Sequence, residues 1–118
     1  MRNAVVREVR RGRLGTVEVC DAHPELMRAA RNVGRPLGGG CPICGEEQMV
    51  QVTYVFGAGL PAGGRCPGTA GELERLRHRS EPVLCYDVEV CLGCAWHHLL
   101  RKYPAGGRAA RAGASGRG

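Results

Sequence analysis

Residues 41–45, Cys-Pro-Ile-Cys-Gly, and residues 91–94, Cys-Leu-Gly-Cys, decide the fold of this chain. Two residues between paired cysteines let one tight turn direct both sulfurs at one ion, and two such turns supply the four ligands of a closed zinc site. In the first turn proline fixes one backbone dihedral, and Gly45 tolerates the positive φ that lets backbone amides approach the thiolates. We therefore predict a tetrahedral Zn²⁺ site whose ligands are Cys41, Cys44, Cys91 and Cys94.

The two pairs are separated by the 46 residues from 45 to 90, whereas about 15–20 residues is common for four-cysteine zinc sites. The segments between the pairs account for the excess. Residues 47–56 are rich in β-branched and aromatic residues and predict a strand, residues 57–68 a loop, and Thr69 with Glu72 a capped short helix. With strands over 83–90 and 96–103, the sequence predicts a three-stranded antiparallel zinc ribbon with an inserted loop and short helix.

The strand over 83–90 alternates, which predicts that one of its faces is buried. The apolar residues on the predicted buried face are Leu84, Tyr86, Val88 and Val90. Asp87 and Glu89 alternate with them and are expected to face solvent.

Short helices are expected before the first cysteine pair. Asn3 can cap a helix that ends near Arg11, and Asp21 or His23 can cap a second helix with Pro24 in its first turn and Gly34 at its end. A short turn over 16–20 connects them. The expected fold class is therefore α+β, with a helical segment over 1–35, a zinc-ribbon domain over 36–103 and a disordered basic tail over 104–118.

The cysteines also allow other interpretations. They could be packed free thiols or a redox dithiol, and iron in a rubredoxin-like site would use the same four ligands. Cys20 and His23 have ligand-like spacing and could form a second site with Cys66 or Cys85, and His97 could replace a cysteine as ligand. Because four cysteines complete one site, the single zinc site is the preferred interpretation.

Length and composition are consistent with a metal-stabilised domain. The chain has 118 residues, seven cysteines, one tryptophan and one phenylalanine, so little aromatic mass is available for a large core. No stretch has the length of a signal peptide's apolar region or of a membrane span. We expect a cytoplasmic protein, in which paired cysteines are more often metal ligands than disulfides.

The charge gives only weak support to nucleic-acid binding. The formal net charge is +6, but four zinc-bound thiolates and the metal would lower it to about +4. Three of the remaining positive charges belong to tail residues Arg108, Arg111 and Arg117. The part expected to fold is therefore close to neutral.

Three functions remain open, and none is catalytic. No phosphate-binding loop, His-Glu-x-x-His motif or informative acid–base pair occurs, and four cysteines fill all positions of a zinc ion. The first function is a non-catalytic adaptor that binds a protein through its helical segment and strand face. The alternatives are nucleic-acid binding through the arginines near both ends, and electron transfer by iron. Neither a membrane nor a small-molecule substrate is indicated.

Three stretches resemble an uncharacterised family of small actinobacterial proteins with a middle region like a zinc ribbon. They are EVCDAHPELMRAARNVG at 18–34, CPICGEEQMVQVTYVFG at 41–57 and EVCLGCAWHHL at 89–99. The resemblance covers roughly residues 5–103, and the four cysteines also resemble those of the wider zinc-ribbon fold. It implies the same four metal ligands and no particular activity.

Overall fold

The computed structural model describes residues 2–12 and 20–107. Within them lie the helices α1 (Arg2–Arg10), α2 (Pro24–Val33) and α3 (Ala70–Arg77), and the strands β1 (Arg35–Pro36), β2 (Met49–Gly57), β3 (Val83–Cys91) and β4 (His97–Ala105). The strands form one antiparallel sheet in the order β1-β2-β3-β4. The predicted α+β class is confirmed, while most of the turn predicted over 16–20 lies outside the described residues.

Strand β1 corrects the prediction of a three-stranded ribbon. Arg35 lies opposite Gln51 and Pro36 opposite Val50, in antiparallel register with β2. The N–H of Leu37 also donates to the carbonyl of Met49 at 2.9 Å. A two-residue strand that contains proline is too short to show a hydrophobic alternation in the sequence. Strand β1 therefore arises from its pairing with β2 and not from its local sequence.

Helix α2 begins and ends at the residues that the sequence indicates. Nδ1 of His23 accepts a hydrogen bond from the N–H of Glu25 at 3.1 Å, and Pro24 follows in the first turn. Gly34 ends the helix, and a Cβ there would lie 2.7 Å from Cγ2 of Val50. Glycine therefore lets the end of α2 approach the face of β2. None of the helices in the described part of the chain is long and apolar enough to cross a membrane.

Helix α3 has the predicted N-terminal cap. Oγ1 of Thr69 accepts a hydrogen bond from the N–H of Glu72 at 3.1 Å. The carboxylate of Glu72 in turn accepts from the N–H of Gly68 at 3.2 Å and from Nε of Arg65 at 2.6 Å. These two donors hold the pKa of Glu72 below its usual value, with the Gly68 N–H as the larger cause. The helix is thus fixed at its start by reciprocal side-chain bonds.

The face assignment within β3 was wrong except at Val90, which is buried as expected. Asp87 and Glu89 are 1% and 4% exposed, whereas Leu84, Tyr86 and Val88 are half-buried. Asp87 accepts from Oγ1 of Thr53 at 2.7 Å and from Nε of Arg101 at 2.9 Å. Glu89 accepts from Nε of Arg2 and from the indole of Trp96. Partners remote in the sequence thus satisfy both carboxylates inside the protein.

The described residues group into two compact units, residues 2–12 and 20–52 with 88–98, and residues 53–87 with 99–107. The core of the first contains Val6, Cys41, Met49, Cys91 and Trp96. The core of the second contains Val55, Leu73, Val83, Cys85 and Ala105. This grouping follows spatial contact and not chain order, and the division at residues 35 and 103 stays a prediction.

The folded chain extends beyond residue 103. Pro104 and Ala105 end β4, and Ala105 is buried. The N–H groups of Gly106 and Gly107 then donate to the carbonyls of Arg77 and Arg79, each at 2.8 Å. The first four residues of the predicted tail are therefore structured, and residues 108–118 lie outside the described part.

Candidate metal centre

The sheet brings the two Cys-x-x-Cys turns together. The first turn, residues 41–45, precedes β2, and the second, residues 91–95, begins at the last residue of β3. Because β2 and β3 are antiparallel neighbours, the start of one lies beside the end of the other. The N–H of Leu92 donates to the carbonyl of Gln48 at 3.0 Å and joins the two turn regions. This arrangement explains how a separation of 46 residues can still form one site.

The two turns have the same backbone geometry. In the first, the N–H of Gly45 donates to the carbonyl of Cys41 at 2.9 Å, and in the second the N–H of Ala95 donates to that of Cys91 at 2.9 Å. Gly45 has φ +80° and Ala95 has φ +70°. Ala95 is thus the left-handed residue of the second turn, although Gly93 is the glycine within it. The difference in sequence does not produce different turns.

The four sulfurs form a cluster small enough for one metal ion to contact all of them. All four Sγ atoms of Cys41, Cys44, Cys91 and Cys94 lie within 4.8 Å of one another. Sγ of Cys41 is 3.8 Å from that of Cys94, and Sγ of Cys44 is 3.6 Å from that of Cys91. A regular tetrahedron with Zn–S bonds of about 2.3 Å has edges of about 3.8 Å. The cluster can therefore hold a metal ion.

Burial and hydrogen bonding differ among the four thiols. Cys41 and Cys91 are buried, Cys94 is half-buried and Cys44 is exposed. Burial raises the pKa of Cys91 and Cys94. Burial is also the largest single influence on Cys41, but the backbone N–H groups of Cys44 and Ile43 and the thiols of Cys94 and Cys44 together outweigh it and lower the pKa of Cys41. A dication bound among them would favour loss of the protons from all four.

A partly buried ion pair lies beside the second turn. Trp96 is buried directly after this turn, and its Nε1 donates to Glu89 at 2.9 Å. The same carboxylate accepts from Nε of Arg2 at 2.5 Å, which ties α1 to β3. The Trp96 ring also stacks on His98 with centroids 6.0 Å apart. These contacts fix the chain on both sides of Cys91 and Cys94.

A fifth thiol lies against the cluster. Sγ of Cys20 is 3.0 Å from Sγ of Cys94, but Cys20 is not part of the group in which all sulfurs are within 4.8 Å. The sequence left a second site open for Cys20 only as an alternative and did not indicate this contact. The only signals for it were the odd cysteine count and the position of Cys20 just before α2, and neither indicates proximity to a residue 74 positions away.

The other candidate ligands have different roles in the structure. His23 caps α2, and Nε2 of His97 lies 3.1 Å from Oδ1 of Asp21. Cys66 and Cys85 belong to the second unit, where Cys85 is buried in the core. Within the described residues, the alternative of a second site formed by Cys20, His23 and Cys66 or Cys85 is therefore not borne out.

Comparisons with known proteins identify relatives of this sequence. The profile of a family described as "Family of unknown function (DUF5318)" matches residues 1–117. An uncharacterized protein of Mycobacterium bovis and one of Mycobacterium tuberculosis are each 44% identical over 105 residues, which is 89% of this chain and 77% of the relative. No solved structure matches the sequence.

Proposed function

The chain belongs to the DUF5318 family, and from this premise we propose that it is a non-catalytic zinc-ribbon protein whose metal ion has a structural role. The single observation that supports the proposal is the match between the Sγ–Sγ distances of 3.6 and 3.8 Å and the edge of about 3.8 Å in a zinc–thiolate tetrahedron. Four thiolates leave no open position for substrate or water at the metal. The metal then acts by stabilising the fold around it.

Metal analysis tests the zinc site. We expect about one zinc per chain in natively purified protein, and loss of the metal in Cys91→Ser. Cys85→Ser is the matched control, because Cys85 is an equally buried β3 cysteine of the second unit. Coloured protein that contains iron, or full zinc content in Cys91→Ser, would contradict the proposal.

We also propose that the protein acts by binding another protein. Strand β4 supports this role, because it is an edge strand of the sheet and its Leu99 and Leu100 are 44% and 39% exposed. An edge strand can pair with an extended segment of a partner, whose side chains then contact alternate positions. Affinity capture with the zinc-loaded protein should recover a partner that Leu99→Ser with Leu100→Ser loses. Equal recovery by the double variant would exclude this surface.

Single-stranded nucleic acid is the second candidate partner, favoured by a row of aromatic rings in the second unit. The Tyr54 and Phe56 rings stack at 6.5 Å, and Tyr86 meets Phe56 edge to face at 5.3 Å. Nζ of Lys102 lies 5.7 Å above the Tyr86 ring. The described residues of this unit, 53–87 and 99–107, have six Lys or Arg and four Asp or Glu, so they carry a formal charge of +2. Aromatic rings and positive charge are the features that single strands require.

Fluorescence anisotropy with a labelled oligonucleotide tests this second function. Binding should weaken with salt and in Tyr86→Ala, whereas Tyr103→Phe is the control because it retains the ring and lies in the second unit's core cluster. Binding that is independent of salt, or equal in both variants, would rule out this function.

A further inference from the structure

The segment from Cys20 to Ala22 runs along the second cysteine turn, and three contacts hold it there. The N–H of Ala22 donates to the carbonyl of Ala95 at 3.0 Å. Asp21 lies 3.1 Å from the ring of His97. They lie next to the approach of Cys20 to Cys94, in which the two sulfurs are 3.0 Å apart. The fifth thiol is therefore held against the turn by the two residues that follow it in the chain.

The Cys20 sulfur is in a position that suits neither a metal ligand nor an existing disulfide. Its distance of 3.0 Å from Cys94 is shorter than the edge of about 3.8 Å between two zinc ligands. It is also longer than the bond of about 2.05 Å in a disulfide. Cys20 thus lies outside the four-sulfur cluster and against one of its corners. An approach of about 1 Å would join the two sulfurs.

We propose that Cys20 and Cys94 form a peroxide-sensitive pair that closes a disulfide and removes one thiolate from the metal. This inference rests on the proposed zinc site, and it assigns to Cys20 a role that the metal site itself does not require. Cys20 and Cys94 are half-buried, Cys44 is exposed, and Cys41 and Cys91 are buried. Among the thiols that a hydroperoxide can reach, Cys20 is the one that the metal would not hold.

The chemistry balances with a hydroperoxide as the oxidant. The proton of the Cys20 thiol passes to the departing alkoxide or hydroxide while its sulfur attacks the terminal peroxide oxygen, so that the O–O bond breaks and a sulfenic acid forms. The Cys94 thiolate, which a bound metal would otherwise hold, then attacks the Cys20 sulfur. The S–S bond forms, the S–O bond breaks, and the hydroxide takes a proton from solvent and departs as water. Two electrons pass from the sulfurs to the peroxide. Three cysteines, Cys41, Cys44 and Cys91, remain for the metal.

The test uses the zinc-loaded full chain and hydrogen peroxide. Zinc content is measured first, without oxidant, and tests the proposed function alone. After peroxide addition, a chromogenic chelator follows zinc release, and mass spectrometry of peptides locates the disulfide. We expect a product that is lighter by two hydrogens and links Cys20 to Cys94. Zinc should be released at the rate at which this disulfide forms, and a dithiol reductant should reverse the oxidation.

Cys20→Ser is the decisive variant. It should retain the zinc of the wild type and release that zinc about tenfold more slowly under peroxide, whereas Cys66→Ser, in the second unit, should behave like the wild type. Loss of zinc from untreated Cys20→Ser would show that Cys20 is a ligand and would overturn the proposal. A first disulfide between any other cysteines, or unchanged release in Cys20→Ser, would also overturn it. Protein that lacks zinc but still forms the Cys20–Cys94 disulfide would contradict only the proposed function.

Discussion

Asp87 illustrates how a single residue can be charged and still belong inside the sheet. Its side chain is 1% exposed, while that of its partner Arg101 is 66% exposed. Removal of the arginine would leave a carboxylate that water cannot reach, whereas removal of the carboxylate charge would leave an arginine that is already hydrated. The two partners of this pair are therefore energetically unequal.

We predict that Arg101→Ala lowers the free energy of unfolding by about 2–3 kcal/mol and that Asp87→Asn lowers it by about 1 kcal/mol. Urea denaturation of the zinc-loaded protein measures both values. Lys102→Ala is the control, because Lys102 is the neighbouring cation on β4 and its Nζ lies over the Tyr86 ring. Equal effects of the two partners would contradict the asymmetry.

The thiol of Cys66 should react unusually slowly. Burial raises its pKa from 9.0 to about 11, so the thiolate fraction at pH 8 is about one hundredth of that of an ordinary cysteine with the lower value. Alkylation by iodoacetamide at this residue, followed by peptide mass spectrometry, should be about 100-fold slower than in the unfolded chain. The rate should rise tenfold per pH unit up to about pH 11. A rate equal to that of the unfolded chain would refute the shift.

Individual residues also mark where sequence reasoning succeeds. His23, Pro24, Thr69 and Glu72 act through bonds to near neighbours, and their capping roles could be read from local spacing. Glu89 could not be assigned in this way, because its partner Arg2 is 87 positions away. The alternation in β3 indicated a strand correctly, but both of its faces carry apolar residues, and only remote arginines reveal which face is buried.

Among the structural elements, the two cysteine turns invite a direct comparison. Each has one residue in the left-handed region, Gly45 at φ +80° and Ala95 at φ +70°. A side chain makes this conformation unfavourable, and glycine does not. The second turn is therefore the more strained of the two.

We predict that Ala95→Gly raises the free energy of unfolding by about 1 kcal/mol and that Gly45→Ala lowers it by a similar amount. Gly38→Ala is the matched control, since a Cβ there meets nothing within 4 Å and its φ is not positive. Chemical denaturation at saturating zinc gives all three values. A lower free energy of unfolding in Ala95→Gly would contradict the prediction. It would mean that the packing energy of the Ala95 methyl exceeds the backbone strain of the turn.

The elements as a set were largely predictable, and the exceptions share one cause. Strands β2, β3 and β4 and helix α3 have clear periods or caps, and the paired cysteines require that β2 begins near the end of β3. Strand β1 and the contact of Cys20 with Cys94 depend instead on which distant segment lies alongside. Short-range pattern contains no information about such neighbours.

For the whole molecule, the aromatic residues separate the two units optically. Trp96, the single tryptophan, lies in the first unit, and Tyr54, Tyr86 and Tyr103, the three tyrosines, lie in the second. Tryptophan emission therefore reports on the unit that contains the cysteine cluster. Tyrosine signals in near-ultraviolet circular dichroism report on the other.

We predict that a strong chelator shifts Trp96 emission to longer wavelength in step with zinc release, because structural zinc contributes on the order of 10 kcal/mol to small zinc-dependent domains. Re-addition of zinc should restore the emission. Cys44→Ser should show the shifted emission without chelator. An unchanged spectrum after complete removal of zinc would contradict a structural role for the metal.

The sheet order has a consequence for self-association. The outer strand β1 has two residues, one of which is a proline without an N–H. Further along β2, Val55 forms a β-bridge with Arg65. That side of the sheet offers few donors to a further strand, whereas the nine-residue β4 forms the opposite edge. With one receptive edge in the described part of the chain, strand pairing between copies would end at a two-fold dimer, because the β4 edges would then face each other. Growth into open-ended fibrils through native sheets is disfavoured.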